Sequence, residues 1–204
     1  MSDEVVRWAM ELQALAQVGL HYGKDAFDRE RYARIREIAA EMMSARTNLP
    51  IETVQTLFCS DSGYCTPKID TRAAIFTEDQ ILLVQENNGS WALPGGWCDF
   101  NLSPAENIVK EVREEAGLEV RADALIAVQD RAKHNQPPYA YNIVKLFFLC
   151  SALGGGFQSN IETLDARAFP QDALPRLAEE KTTRAQIDMC FRAYRDPNWK
   201  VQFD

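Results

Sequence analysis

Glu111, Glu114 and Glu115 stand at i, i+3 and i+4 of a stretch that reads as helix, so three carboxylates share one face. Like charges so spaced cost a few tenths of a kcal/mol per pair, and something positive has to compensate. Lys110 and Arg113 do part of this, Lys110 through an i, i+4 pair with Glu114, and the face is then only a solvated charged surface. A divalent cation does it more fully, because Mg²⁺ takes oxygen ligands and keeps waters and substrate phosphate oxygens in its shell. Gly95 and Gly96 precede the helix and bring bare backbone near the carboxylates, where the Gly95 carbonyl offers one more oxygen.

The boundaries of this helix are written in its chemistry. Ser103 is the N-cap, Pro104 takes the first helical position and Glu106 completes a capping box, while Gly117 supplies the left-handed residue that ends it. Ile108 and Val112, with Val109 and Ala116, form the face turned to a core.

The run from Gly96 through Glu111, Val112, Glu114, Glu115 and Gly117 to Leu118 resembles the box of the Nudix hydrolases. The resemblance implies an α/β/α sandwich with a mixed sheet over about residues 68–195, with Glu111, Glu114, Glu115 and the Gly95 carbonyl as metal ligands and Glu111 or Glu115 in catalysis. Two positions depart from the box, Leu102 where the family has glutamate and Lys110 where it has arginine, so an ion-pair brace beside the cluster is altered. Further segments resemble the Nudix subgroup with an N-terminal helical module, which includes CDP-choline pyrophosphatase and ADP-ribose pyrophosphatase-like proteins. They are Trp8 to Ala14, Phe27 to Tyr32, Gly63 with Tyr64, and Asp130 to Pro138.

The elements that must position these residues follow from periodicity. Val5, Trp8, Leu12, Leu15 and Ala16 predict one amphipathic helix, and Tyr32, Ile35, Ile38, Ala39 and Met42 predict a second after a turn near Gly23, with Asp28 as its N-cap. Ile51 to Phe58 predicts a short third helix. Strands are expected over 70–77, 80–86, 91–93, 119–131, 139–151 and 166–169, a turn at Gly154 to Gly156, and a last helix over 182–195. The division is an N-terminal helical module at 1–60 and a hydrolase domain at 68–204, an α/β fold. The apolar stripes of the first helices must be buried, either on the main domain or in a homodimer through Trp8, Leu12, Tyr32 and Ile35.

Composition narrows the function. Thirty acidic residues against 22 basic ones leave a net charge of −8, which opposes a DNA partner. Cys59, Cys65, Cys98, Cys150 and Cys190 form no C-x-x-C pair, so reduced thiols are expected rather than disulfides or zinc. With no long apolar run and no basic leader, a cytoplasmic, non-membrane protein is expected.

Arg131, Lys133, His134 and Asn135 lie between two strands and suit either a substrate loop or an ordinary polar hairpin loop. Glu162 is either an extra ligand or base, or merely exposed; Tyr139, Tyr141 and Phe157 either stack a base or fill a core. The resulting expectation is Mg²⁺-dependent hydrolysis, with Mn²⁺ as a substitute, of a nucleoside diphosphate linked to another moiety of the CDP-choline or ADP-ribose class. The products are a nucleoside monophosphate and a phosphorylated product. A non-catalytic nucleotide sensor and an RNA-end pyrophosphohydrolase are the alternatives.

Overall fold

The computed structural model describes residues 4–47, 49–137, 139, 142–158 and 160–204, so Tyr141 and Pro138 lie outside the described residues. The chain forms two compact units, one of residues 1–67 with 138–142 and the other of 68–137 with 143–204.

The first unit is helical: α1 (Glu4–Tyr22), α2 (Ala26–Thr47) and α3 (Ile51–Phe58). Its core is made of Ala9, Ala39, Ala40, Met43, Val54 and Phe58. Small residues let α1 and α2 approach closely, and a Cβ on Gly19 would meet the Tyr32 ring at 2.4 Å. The expected stripe is therefore split. Ala16 and Ala39 are inside and Leu12, Tyr32 and Ile35 half-buried, while Trp8 is 46% and Leu15 59% exposed. Asp28 is not the cap of α2; the Asp25 carboxylate accepts from Phe27 N and Asp28 N, and Asp28 instead pairs with Arg31 at 2.7 Å. Helix propensity extends one turn further back than the apolar pattern shows.

The second unit is a seven-stranded mixed sheet in the order β3-β2-β1-β5-β4-β7, with β6 on β2. The strands are β1 (Lys68–Thr77), β2 (Gln80–Gln85), β3 (Trp91–Ala92), β4 (Leu118–Asp130), β5 (Ile143–Gly155), β6 (Asp165–Pro170) and β7 (Gln202–Phe203). The helices are α4 (Pro104–Ala116), the single turn α5 (Arg131–His134) and α6 (Arg184–Arg195). β1 runs parallel to β5, and β4 antiparallel to it.

Alternation along each strand makes the sandwich. Ala73, Ile75, Phe148 and Cys150 pack with Ile108, Val112 and Ala116 of α4. Their neighbours Ala74 and Phe147 turn to the opposite face and meet Ile187, Cys190 and Phe191 of α6. This is the α/β/α arrangement expected.

Gly154, Gly155 and Gly156 are not a simple turn. Gly154 pairs with Glu119 and Gly155 with Leu118, so β5 continues through them, and Gly156 N donates to Gly117 O at 3.0 Å. A Cβ on Gly155 would lie 2.4 Å from Gly117 O, so the glycines serve close backbone approach beside the end of α4. The strand expected from 139 begins instead at Ile143, and the sequence pattern carried no sign of α5 or β7.

Candidate active site

α4 is capped as its sequence dictates: Ser103 Oγ accepts from Glu106 N, Glu106 Oε2 accepts from Ser103 N at 2.9 Å, and Gly117 ends the helix at φ +66°. Burial of Ile108, Val112 and Ala116 on the sheet turns the glutamate face toward the loop at 93–98.

That loop runs along β1. Thr71 N donates to Gly96 O and Ala73 N to Pro94 O, both at 2.9 Å, and Cys98 N donates to Ile69 O at 2.9 Å. Gly95 has φ +136°, and a Cβ there would lie 2.0 Å from Thr71 O, so no other residue fits. At Gly96 a Cβ would meet Glu111 Oε2 at 2.5 Å, which leaves that carboxylate against bare backbone. Asn107, fully buried on α4, ties the parts together. Its Nδ2 donates to Thr71 Oγ1 at 3.0 Å and to Trp97 O at 3.1 Å, and its Oδ1 accepts from Asp99 N at 3.0 Å.

Glu115 is 9% exposed and its Oε2 accepts the Gly95 N–H at 2.7 Å. Burial, helped by the charges of Glu111 and Glu86, pushes its carboxyl up to about 7 against the opposing pull of Arg72 and the Gly95 N–H. Burial also raises Glu111, with Lys110 opposing and Glu114 adding to the shift. Lys110 Nζ lies 3.0 Å from Glu114 Oε2, 3.2 Å from Glu111 Oε1 and 3.3 Å from Asp99 Oδ2, and the Glu114 contact leads in holding the ammonium charged. Asp99 thus takes the acidic place beside Lys110 that Leu102 cannot fill. Among the described residues, no three His, Cys, Asp or Glu side chains form a ready metal cluster; a lysine ammonium bridges these carboxylates.

The donor chemistry nonetheless fits a hard divalent cation. The groups are carboxylate oxygens beside a glycine loop, and two of the carboxyls carry a burial penalty that a nearby cation would relieve.

Behind the loop lie three buried charges that the pattern reading did not single out. Arg72 donates through Nε and Nη2 to Asp70 at 3.0 and 2.8 Å and through Nη1 to Leu93 O at 3.1 Å, while Lys145 Nζ donates to Asp70 Oδ2 at 2.6 Å. Burial works against all three charges. The two cations nevertheless hold Asp70 below the usual carboxylate range, whereas burial and the like charge of Arg72 bring Lys145 down to about 8. The available signal was a pair of charges two residues apart in an apolar strand, and a lysine inside a second one.

The remaining candidates fall in different places. Thr163 Oγ1 donates to Glu115 O at 2.6 Å, so the loop at 160–163 closes the end of α4, and Glu162 on it is exposed. Arg131 is buried, donating to Pro137 O at 2.9 Å and Glu180 O at 3.1 Å. Asn135 is buried as well and bonds Glu179 O at 2.9 Å and Gln186. His134 Nε2 pairs with Asp204 at 2.8 Å, and Lys133 is exposed. Arg131 and Asn135 therefore brace the α5 turn, while Lys133 stands on its outer side. Tyr139 is 46% exposed and Phe157 half-buried, and neither is a core residue.

The NUDIX domain signature matches residues 67–189, which contain β1, the glycine loop, α4 and the first half of α6. The chain belongs to the Nudix hydrolases. Residues 3–58 of this Nudix hydrolase match a second signature, the UDP-X-like N-terminal oligomerisation domain. The chain is 44% identical over 197 residues, covering 96% of itself and 95% of the relative, to YjhB of Bacillus subtilis (strain 168), whose name assigns it provisionally to the ADP-ribose pyrophosphatases. An ADP-ribose pyrophosphatase from Streptococcus suis 89-1591 is 51% identical with a TM-score of 0.64, covering 68% of this chain and all of that one. A UDP-X diphosphatase structure is 35% identical, also with a TM-score of 0.64, and covers 98% of both chains. This Nudix pyrophosphatase has no helix, among its described residues, long and apolar enough to cross a membrane.

Proposed function

We propose that the protein hydrolyses, with Mg²⁺, the pyrophosphate bond of a nucleoside diphosphate carrying a second moiety, releasing a nucleoside monophosphate and a phosphorylated product. The observation that carries this reading is the glycine loop against half-buried Glu111 and buried Glu115, where Gly95 N–H holds one carboxylate and Gly96 leaves room for the other. The relatives of ADP-ribose and UDP-X type support a nucleoside diphosphate linked to a sugar or similar group as the substrate class.

Glu111, Glu114 and Glu115, with the Gly95 carbonyl, would hold the cation. Mg²⁺ held there would neutralise phosphate charge and acidify an attacking water, with Mn²⁺ as a substitute. Glu111 would serve as the base that takes a proton from water, with Glu162, on the loop closing α4, as the rival base. Gly95 N–H keeps the Glu115 carboxylate aimed, and Lys110 steadies Glu111 and Glu114 from the side. Lys133 and His134 on the α5 turn bind the substrate, with Arg131 and Asn135 fixing that turn from inside.

The helical unit assembles a homodimer through its exposed apolar residues, a reading that the oligomerisation-domain match supports. The five cysteines, an odd number with no C-x-x-C pair, support a reducing, cytoplasmic setting. The domain division we favour remains 1–60 and 68–204, in keeping with signatures at 3–58 and 67–189.

The deciding experiment assays CDP-choline, ADP-ribose, UDP-linked sugars and dinucleotides with Mg²⁺ or Mn²⁺ and identifies both products. Turnover of at least one nucleoside diphosphate conjugate, abolished by chelation, is expected. Nucleotide binding without metal-dependent turnover would instead favour a sensor, and cleavage confined to capped or triphosphorylated RNA would favour end processing.

A further inference from the structure

The buried trio of Asp70, Arg72 and Lys145 has no role in the chemistry described so far, and stability alone is a poor reason for it. Replacing a buried ion pair by apolar side chains of similar volume is often neutral or stabilising, because desolvation offsets the Coulombic gain. Here three charged side chains, none more than 7% exposed, sit among strands that could have been filled with apolar residues.

Their geometry points toward the glycine loop. Two arms of the Arg72 guanidinium are taken by Asp70, and the third donates to the Leu93 carbonyl at 3.1 Å. Leu93 is held on its other side as well, its N–H donating to Thr182 Oγ1 at 3.1 Å. Pro94 follows, with its ring-fixed φ and its carbonyl tied to Ala73 N at 2.9 Å, and then Gly95, whose N–H holds Glu115 at 2.7 Å. One residue of restrained backbone, Pro94, thus separates the Arg72 contact from the group that aims a carboxylate.

We infer that Arg72 is a positioning residue for the carboxylate site: clamped by Asp70, its guanidinium fixes the Leu93 carbonyl and through it the turn whose Gly95 N–H orients Glu115. Lys145 is the second cation on Asp70 and keeps the clamp from carrying an unmatched acceptor. A lysine at position 72 would supply the charge but not the three-way fork. The inference rests on the metal-dependent reading above.

The test uses the full chain with Arg72→Met and Arg72→Lys, following Mn²⁺ affinity by electron paramagnetic resonance, kcat, KM and melting temperature. Asp70 keeps Lys145 as its partner in Arg72→Met. Partners that orient metal ligands typically matter by about 10–100-fold, so Mn²⁺ affinity and kcat should each fall by at least about tenfold with KM changed by less than about threefold. Arg72→Lys should recover only a minor part of the loss. Wild-type Mn²⁺ affinity and kcat in Arg72→Met, or full recovery in Arg72→Lys, would overturn the positioning role. If Arg72→Met does not fold, Arg72→Lys decides by itself: a loss of about tenfold supports the role and wild-type behaviour overturns it. Glu115→Gln, measured alongside, keeps the two readings apart. Unchanged Mn²⁺ binding there defeats the metal site itself, whereas loss there with unchanged Arg72 variants defeats only this inference.

Discussion

The Gly95 N–H and the Glu115 carboxylate meet at 2.7 Å across 20 residues of sequence, joining the loop along β1 to the last turn of α4. One hydrogen bond does not cancel the cost of burying that carboxyl, which stands at about 7 rather than its ordinary 4.5. A carboxyl raised in the folded state binds its proton more tightly there than in the unfolded chain. Its contribution to stability is therefore fully present below 4.5 and lost as pH rises through about 7. In chelator, Glu115→Gln should be increasingly stabilised relative to wild type from about pH 5 to about pH 8, by up to a few kcal/mol. Thermal melts of both proteins across that window check the sign, and a gap that does not move with pH would refute it.

Glu114→Gln and Glu115→Gln should each lower turnover by at least about a hundredfold while the circular dichroism spectrum is unchanged, since each removes an anionic ligand from the proposed cation site. Near-normal Mg²⁺-dependent turnover in both would sink the ligand assignment.

The departure at Leu102 has a partner in Asp99. Because Lys110 already reaches Asp99 at 3.3 Å, a carboxylate added by Leu102→Glu finds the ammonium occupied. Turnover and Mg²⁺-dependent melting should then change by less than about twofold, and Asp99→Asn should cost about 0.2–1 kcal/mol of stability, as expected of a partly exposed pair. A large gain from Leu102→Glu would show that Asp99 does not serve as the acid of the brace.

Trp8 and Leu15 are exposed on α1, and Leu12, Tyr32 and Ile35 are half-buried in the helical unit. Light scattering at micromolar concentration should give a dimer for the native chain and a monomer for the Trp8→Glu, Leu15→Glu double substitution. A native monomer would count against the helices as the dimer contact.

Arg131 and Lys133 are two residues apart and should behave oppositely. Arg131→Ala leaves the carbonyls of Pro137 and Glu180 without that donor and should destabilise the fold by about 1–3 kcal/mol. Lys133→Ala should leave the melting temperature in place and raise KM. If Lys133→Ala changes neither, the α5 turn does not touch substrate.

Much of the site was legible in order along the chain because its rules are local. Ser103, Pro104, Glu106 and Gly117 bound α4 by capping chemistry acting within one turn, and the i, i+3, i+4 spacing puts Glu111, Glu114 and Glu115 on one face whatever surrounds them. Gly95 and Gly96 announced a close approach of backbone to the carboxylates. Only the tertiary structure decided that Thr71 O stands against Gly95 and that Glu111 is the carboxylate against Gly96, that Asp99 replaces the missing acid beside Lys110, and that Asn107 staples loop to strand. The same holds for Arg131 and Asn135, polar in the sequence yet buried, because most of the groups satisfying them, Glu179, Glu180 and Gln186, come from more than 40 residues away. Side-chain type and spacing specify helices, caps and faces through interactions a few residues long. Which charge is buried against which group depends on how strands 75 residues apart are paired, as β1 and β5 bring Asp70 to Lys145, and periodicity carries no record of that pairing.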